Sequence, residues 1–235
     1  MRPAARPVLL PLLLLALAGL LSACGGGIAI EVGGGSGGGG PPLPSPNPNP
    51  NPPTLSCSPA GLAASAQSRW PTVCMLASSG EMVFELYDQG YAPTTVANFL
   101  RYVADGYYTN TLIHRVDRDF VIQGGGYTSG QVPKYAPYAP ITLESRNGLS
   151  NLRGTLAMAR RSEPNTATSQ FFVNVVDNPS LDYKSASQPG YAVFGRVISG
   201  LNTLDAINVV PTYYYSDTDI RPRQEVLVYW VQRLK

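Results

Sequence analysis

The stretch Ile113–Tyr127, IHRVDRDFVIQGGGY, contains the only histidine of the 235 residues, beside an arginine and ahead of three glycines. Several chemistries use such residues, and spacing decides among them. A zinc centre needs at least three donors at ligand spacing, but His114 has no second histidine to work with, and Cys57 and Cys74 lie far upstream. A serine hydrolase needs a Gly-x-Ser-x-Gly elbow, and the chain has none. The run GGGSGGGG at 33–40 is followed by no Gly-Lys-Ser/Thr, so it is not a phosphate loop. His114 therefore reads as a structural histidine in or beside a strand, and Gly124–Gly126 as backbone freedom after one. No metal and no cofactor is expected. Arg115, Phe120 and Gln123 are left, and taken alone an arginine two residues into a strand reads as a solvated face or an ion pair.

The elements that must hold them are mostly strands. In EMVFELY, Glu81–Tyr87, Met82, Phe84 and Leu86 alternate with Val83, Glu85 and Tyr87, the period of two that marks a strand. From Pro93 the apolar residues Val96, Phe99, Leu100 and Val103 keep helical spacing, with proline in the first turn and Gly106 at the end. Short β-rich runs follow: LIHRV, FVIQG, GTLAMA, SQFFVNV, YAVFGRVI and EVLVYWVQRL. A second helical pattern, Leu201, Leu204 and Ile207, interrupts them. Many short strands with two helices predict a closed antiparallel barrel rather than repeated βαβ units.

Only part of the chain is expected to fold. Residues 1–23 read as an export signal, with Arg2 and Arg6 ahead of a leucine-rich core too short to span a bilayer comfortably. That core ends in Leu21-Ser22-Ala23-Cys24, which resembles a bacterial lipobox in which Cys24 carries the lipid. Gly25 after the cysteine is similar to lipoproteins sent to the outer membrane. Cleavage takes two of the 17 basic residues, leaving 15 against 15 acidic ones. A neutral chain argues against a nucleic-acid partner.

Residues 24–54 read as the lipidated cysteine and a tether. Between 25 and 53 there are 18 Gly or Pro in 29 residues and one charge, Glu31, too little apolar surface to offset the entropy of ordering. The proline-rich half favours polyproline II at about 3.1 Å per residue, roughly 40 Å in all. Residues 55–235 form one domain, in which Cys57 and Cys74 are candidates for a disulfide in an oxidising compartment.

The segments IHRVDRDFVIQGGGY, GTLAMARRSEPNTATSQFFVNV and SLDYKSASQPGYAVFGRVISGL occur in this order. From about Cys74 to Lys235 the chain resembles the cyclophilins, closest to their bacterial periplasmic branch. The resemblance implies a mainly β fold, an eight-stranded antiparallel barrel capped by two α-helices, and peptidyl-prolyl cis-trans isomerase activity. It implies Arg115 as the catalytic arginine and Phe120, Val121, Phe172 and Leu181 as the proline pocket. Gln123 and Gln170 would bind the substrate backbone, and Ala159 and Arg160 would line the groove for the preceding residue. Tyr191 stands where eukaryotic members have histidine. The partners implied are unfolded or flexible X-Pro polypeptides, met by a monomer held by its lipid at the outer membrane and facing the periplasm.

Three positions depart from the family. Asp117-Arg118-Asp119 replaces a common Ile-Pro-Gly, placing two carboxylates where they could pair with Arg115 and lower activity. Val121 replaces a frequent methionine and makes the pocket wall stiffer. Ser180 replaces the tryptophan of cyclosporin-sensitive members, so weak cyclosporin binding is expected. Two other functions compete: a tethered binding or chaperone module using the same groove, and an inert adhesin on a stalk, which explains the tether but not the motifs.

Overall fold

The computed structural model describes residues 56–235, and the export signal, Cys24 and the tether lie outside the described residues. In chain order the helices and strands are α1 (Pro59–Gln67), β1 (Thr72–Ala77), β2 (Gly80–Leu86), α2 (Pro93–Ala104), β3 (Thr111–Asp117), β4 (Val121–Thr128) and β5 (Val132–Pro133). Then come β6 (Thr155–Met158), β7 (Phe171–Asn174), β8 (Val193–Ser199), α3 (Leu201–Asn208), β9 (Thr212–Ser216), β10 (Asp219–Pro222) and β11 (Val226–Arg233).

Eight strands run in the order β3-β11-β1-β2-β8-β6-β7-β4, and β4 pairs back onto β3. Every neighbouring pair is antiparallel. This is the closed mainly β barrel, which leaves no open edge to protect; β5 adds a two-residue pairing beside β4.

Alternation along the strands decides what enters the barrel. Met82, Phe84 and Leu86 of β2 join the main core with Val116 of β3 and Ile122 of β4. α2 buries Val96, Phe99, Tyr102 and Val103 against it. The Phe99 ring lies 5.1 to 5.7 Å from those of Tyr108, Phe171 and Phe194, within the range where aromatic pairs add to area burial. α3 buries Leu204 and Ile207, while Leu201, at its first position, stays 40% exposed.

The structure adds a third helix to the two expected. α1 buries only Gly61 and Ser65, so it has no apolar stripe for a sequence pattern to reveal. It is held by other means. Ser58 caps its start by accepting from the Gly61 N–H at 3.1 Å, and Glu81 of β2 accepts from the Ser58 N–H and hydroxyl, both at 2.7 Å. Cys57 and Cys74 are joined as a disulfide across a Cα separation of 6.1 Å. The second face of β2 is covered as a result. Val83 packs with the disulfide and Trp230, and Glu85, 6% exposed, accepts from Ser68 Oγ and Arg196 Nε at 2.8 Å.

Candidate active site

The barrel closes where β3 turns into β4, with Arg115 opposite Gln123, Val116 opposite Ile122 and Asp117 opposite Val121. Side chains two apart on a strand share a face, so Val116 and Ile122 point into the barrel and Arg115, Asp117, Val121 and Gln123 point out. On the neighbouring strands Phe172 is opposite both Gln123 and Ala157. Val121, Ala157, Phe172 and Val193 form a small apolar cluster distinct from the main core, with Phe120, Ala159, Leu181 and Tyr191 packed on it. That cluster floors a groove of about 380 Å³.

Nine of the ten site residues implied by the sequence line this groove: Arg115, Phe120, Val121, Gln123, Ala159, Arg160, Phe172, Leu181 and Tyr191. Gln170 lies one step away, in an adjoining hollow of about 270 Å³ shared with Gln123, Ala159 and Arg160. Gln123 Nε2 donates to Gln170 Oε1 at 2.8 Å, which ties the two hollows together. The glycine run makes room for this. A Cβ at Gly126 would collide with the Gln170 side chain, and Gly125 sits at φ 82°, where a side chain is strained.

Phe120 is fixed by its backbone. Its carbonyl accepts from Asn178 Nδ2 at 2.9 Å and from the Val175 N–H at 3.1 Å. Asp182 accepts from the Asn151 N–H and side chain at 2.7 and 2.8 Å and from Ser150 Oγ, and it adjoins Leu181 in the groove. The Phe172 and Tyr191 rings meet edge to face at 5.4 Å.

Arg115 carries the site's central charge, its side chain 16% exposed. Its Nη2 donates to Asp117 Oδ2 at 2.6 Å and to the Asp217 carbonyl at 3.0 Å. Its Nε finds no partner among the described residues. The guanidinium lies 5.9 Å from the Phe120 ring. Burial pushes the Asp117 carboxyl up from its ordinary range and Arg115 pulls it back. Asp119 plays no part in that pair. It sits at φ 56°, tolerated by aspartate, and exchanges hydrogen bonds with the Asn208 side chain at 2.9 and 3.0 Å. Of the two carboxylates the sequence offers to Arg115, one reaches it.

Sequence reasoning missed the β9–β10 hairpin, whose tip brings Asp217 to Arg115 and Thr218 into the groove wall. It also missed Asn178 and Asp182, which hold Phe120 and the Leu181 turn. His114, 8% exposed, packs its ring 4.5 Å from that of Tyr127, and burial pulls its pKa down to about 4. Among the described residues one grouping of candidate metal-ligating atoms occurs, Cys57, Cys74 and Glu81. Its sulfurs are bonded to each other and its carboxylate is engaged by Ser58, so it is a cross-link with its support.

Among the described residues, then, a closed barrel carries on its outer face an apolar-floored groove with the ion-paired guanidinium of Arg115 at its edge. Residues 72–232 match the family model described as "Cyclophilin type peptidyl-prolyl cis-trans isomerase/CLD". A peptidyl-prolyl cis-trans isomerase of Acinetobacter baylyi is 46% identical over 173 residues, covering 73% of this chain and 90% of that protein. Peptidyl-prolyl cis-trans isomerase B of Escherichia coli is 44% identical over 151 residues, 63% of this chain and 91% of its own length. The crystal structure of a Cryptosporidium parvum cyclophilin type peptidyl-prolyl cis-trans isomerase superposes with a TM-score of 0.60 at 29% identity, covering 71% of this chain and 98% of that one. A second, determined in the presence of the dipeptide Ala-Pro, gives 0.59 at 30% identity. The chain belongs to the cyclophilin-type peptidyl-prolyl cis-trans isomerases.

Proposed function

We propose that this isomerase acts on X-Pro bonds of exported proteins, with Arg115 as the catalytic residue and the groove as the proline site. An X-Pro bond turns over a barrier of about 18–20 kcal/mol because rotation breaks amide resonance. No covalent step is needed, only tighter binding of the twisted amide than of either planar form. In the twisted state the prolyl nitrogen regains a lone pair. A guanidinium stays protonated, can donate to that nitrogen, and can bond the proline's carbonyl with the same planar fork. Lowering a time of about 100 s to about 1 ms takes roughly 10⁵-fold, or about 7 kcal/mol, whereas a charged hydrogen bond contributes about 1.5–3 kcal/mol. Positioning and a partly dry site provide the rest. Phe120, Val121, Phe172 and Leu181 hold the ring while the preceding carbonyl swings past Gln123, Ala159 and Arg160.

The observation that carries this reading is a partly buried guanidinium, its Nε without a partner among the described residues, at the edge of an apolar-floored groove of about 380 Å³. The test is cis-to-trans exchange of an Ala-Pro-Phe peptide, followed by NMR with the full chain and with Arg115→Ala. Catalytic acceleration lost in the variant supports the assignment; equal acceleration by both removes it. One contact favours a second reading, a binding module: Asp117 holds Arg115 Nη2 at 2.6 Å. Peptide binding with no acceleration by either protein would bring that reading forward.

The address rests on the sequence. In this reading Cys24 carries a lipid, residues up to 54 are a tether and the domain runs from 55, so the activity would sit at the outer membrane on the periplasmic side, as a monomer serving unfolded or flexible segments. Labelled palmitate incorporated by the parent and absent from Cys24→Ser supports the anchor, and equal labelling rejects it. The Cys57–Cys74 loop suits an oxidising compartment and contributes about 3 kcal/mol in the chain-entropy model; two alkylatable thiols in the native protein would count against this. Ser180 lies exposed at the groove rim, and cyclosporin is expected to bind weakly; tight inhibition contradicts that.

A further inference from the structure

The β9–β10 hairpin touches the Arg115 guanidinium through the Asp217 carbonyl, which accepts from Nη2 at 3.0 Å. The other proton of that nitrogen goes to Asp117 Oδ2 at 2.6 Å. An N–H₂ group has two protons, so Nη2 is committed within the protein, and any bond to a substrate falls to the rest of the guanidinium. One acceptor alone would leave the planar fork free to swivel about that bond; two fix its plane. Asp117 lies two residues from Arg115 on the same strand and moves with it, whereas the hairpin tip enters from outside the barrel. We propose that Tyr214 and Asp217 are positioning residues for the isomerase reaction: the Tyr214 hydroxyl clamps the hairpin tip so that the Asp217 carbonyl sets the plane of the Arg115 fork. The inference rests on the catalytic reading of Arg115 above.

The turn does not fix its own tip. Two-residue hairpin loops that match the strand twist need a positive φ at their first central residue, and here Asp217 and Thr218, the two residues between β9 and β10, both keep negative φ. Asp219 is opposite Ser216 but Ile220 is opposite Tyr214, so Tyr215 is an extra residue on one strand, and such a bulge bends its strand. Side-chain bonds must therefore place the tip. The Ser216 and Thr218 hydroxyls approach only to 3.4 Å, long for such a pair. The Arg221–Asp219 ion pair, at 2.5 and 2.7 Å, ties β10 to itself. Tyr214 Oη donates to Asp217 Oδ1 at 2.6 Å, and this bond grips the residue whose carbonyl meets Arg115. Tyr214 is 66% exposed and Asp217 is exposed too, so removing the hydroxyl leaves the core untouched.

The experiment uses the full chain and an Ala-Pro-Phe peptide, with kcat and KM read by exchange NMR across peptide concentrations. Tyr214→Phe and Asp217→Ala should each lower kcat about threefold to fivefold, the worth of one net hydrogen bond, with KM unchanged. The double variant should lose no more than either one, as two partners of a single bond do. Asp217→Asn keeps an oxygen for the Tyr214 hydroxyl and should recover most of the loss seen in Asp217→Ala. In ¹⁵N spectra of the arginine side chains, the Arg115 Nη1 and Nη2 signals, identified by their loss in Arg115→Ala, should be separate in the parent and merge in Tyr214→Phe as the fork swivels. An unchanged kcat in Tyr214→Phe, additive losses in the double variant, or Nη signals that stay separate overturns the proposal and leaves the isomerase reading intact. A loss confined to KM overturns it too, because the tip would then be a peptide contact, and an Asp217→Asn as slow as Asp217→Ala removes the Tyr214 bond as the cause. If Arg115→Ala accelerates exchange as well as the parent, or neither accelerates it, the catalytic reading falls and the proposal with it.

Discussion

Arg160 and Arg115 stand on two walls of one groove and are held in different ways. Arg160 gives Nε to the Gly190 carbonyl at 2.9 Å and Nη1 to the carbonyls of Arg161 and Ser162 at 2.8 and 2.9 Å, with the Tyr191 ring 4.7 Å away. Arg115 has one nitrogen anchored, by Asp117 and the Asp217 carbonyl, and its Nε without a partner. The first arginine staples a turn to the rim. The second keeps donor capacity in a partly dry place, where, under the proposed mechanism, a hydrogen bond to the twisted amide would be worth most.

The largest expected effect tests this contrast directly. Arg115→Ala should lower kcat/KM about 100-fold, the worth of a charged hydrogen bond made in the transition state, with Tm within a few degrees of the parent. A loss no greater than that of Arg160→Ala would break the comparison.

Acid should next expose the buried ring behind the Arg115 wall. His114 has its folded pKa lowered to about 4 from 6.5, so the unfolded chain binds the extra proton between those values and stability falls as pH drops through them. By about pH 5 the loss is about 2 kcal/mol relative to neutral pH. Urea unfolding of the parent and of His114→Gln across this range should show the slope in the parent and a shallower one in the variant; parallel slopes would remove the histidine from the account.

Arg160→Ala should cost about threefold, mostly in KM, because it loosens a rim without touching the reacting bond. A fall confined to kcat would make it a second catalytic arginine. Asp117→Asn is the smallest and goes the other way. With its counter-charge gone, Arg115 should act more strongly, raising kcat/KM about twofold to threefold at low salt. Acidifying the parent through the raised Asp117 range should do the same, and the variant should lack that rise. A rate that drops in Asp117→Asn would mean the carboxylate chiefly positions the arginine.

What could be read beforehand follows from how local each signal is. Arg115 and Asp117 share a face because they are two apart on a strand, and the alternation of Met82, Phe84 and Leu86 needs only seven residues to be seen. The ordered motifs brought nine groove residues together without any structure. α1 was missed because a helix held by a disulfide and a cap has no apolar period to display. The hairpin was missed for another reason. Tyr213, Tyr214 and Tyr215 are all half-exposed or more, so no strand alternation marks them. Asp217 meets Arg115 across 102 residues, a proximity that exists only once β11 has closed the barrel beside β3.

The Cys57–Cys74 bond has a mechanical consequence. A pull applied to the chain ahead of residue 56 arrives first at Cys57, and the sulfur link hands that load to Cys74 in β1, skipping residues 58–73, which contain α1. β1 is laced to β2 on one side and β11 on the other, so the force must shear two ladders at once rather than peel a helix away turn by turn. Val121, Ala157 and Phe172 of the groove floor sit on β4, β6 and β7, none of which pairs with β1, β2 or β11, and this part of the groove should keep its shape while the domain is tugged.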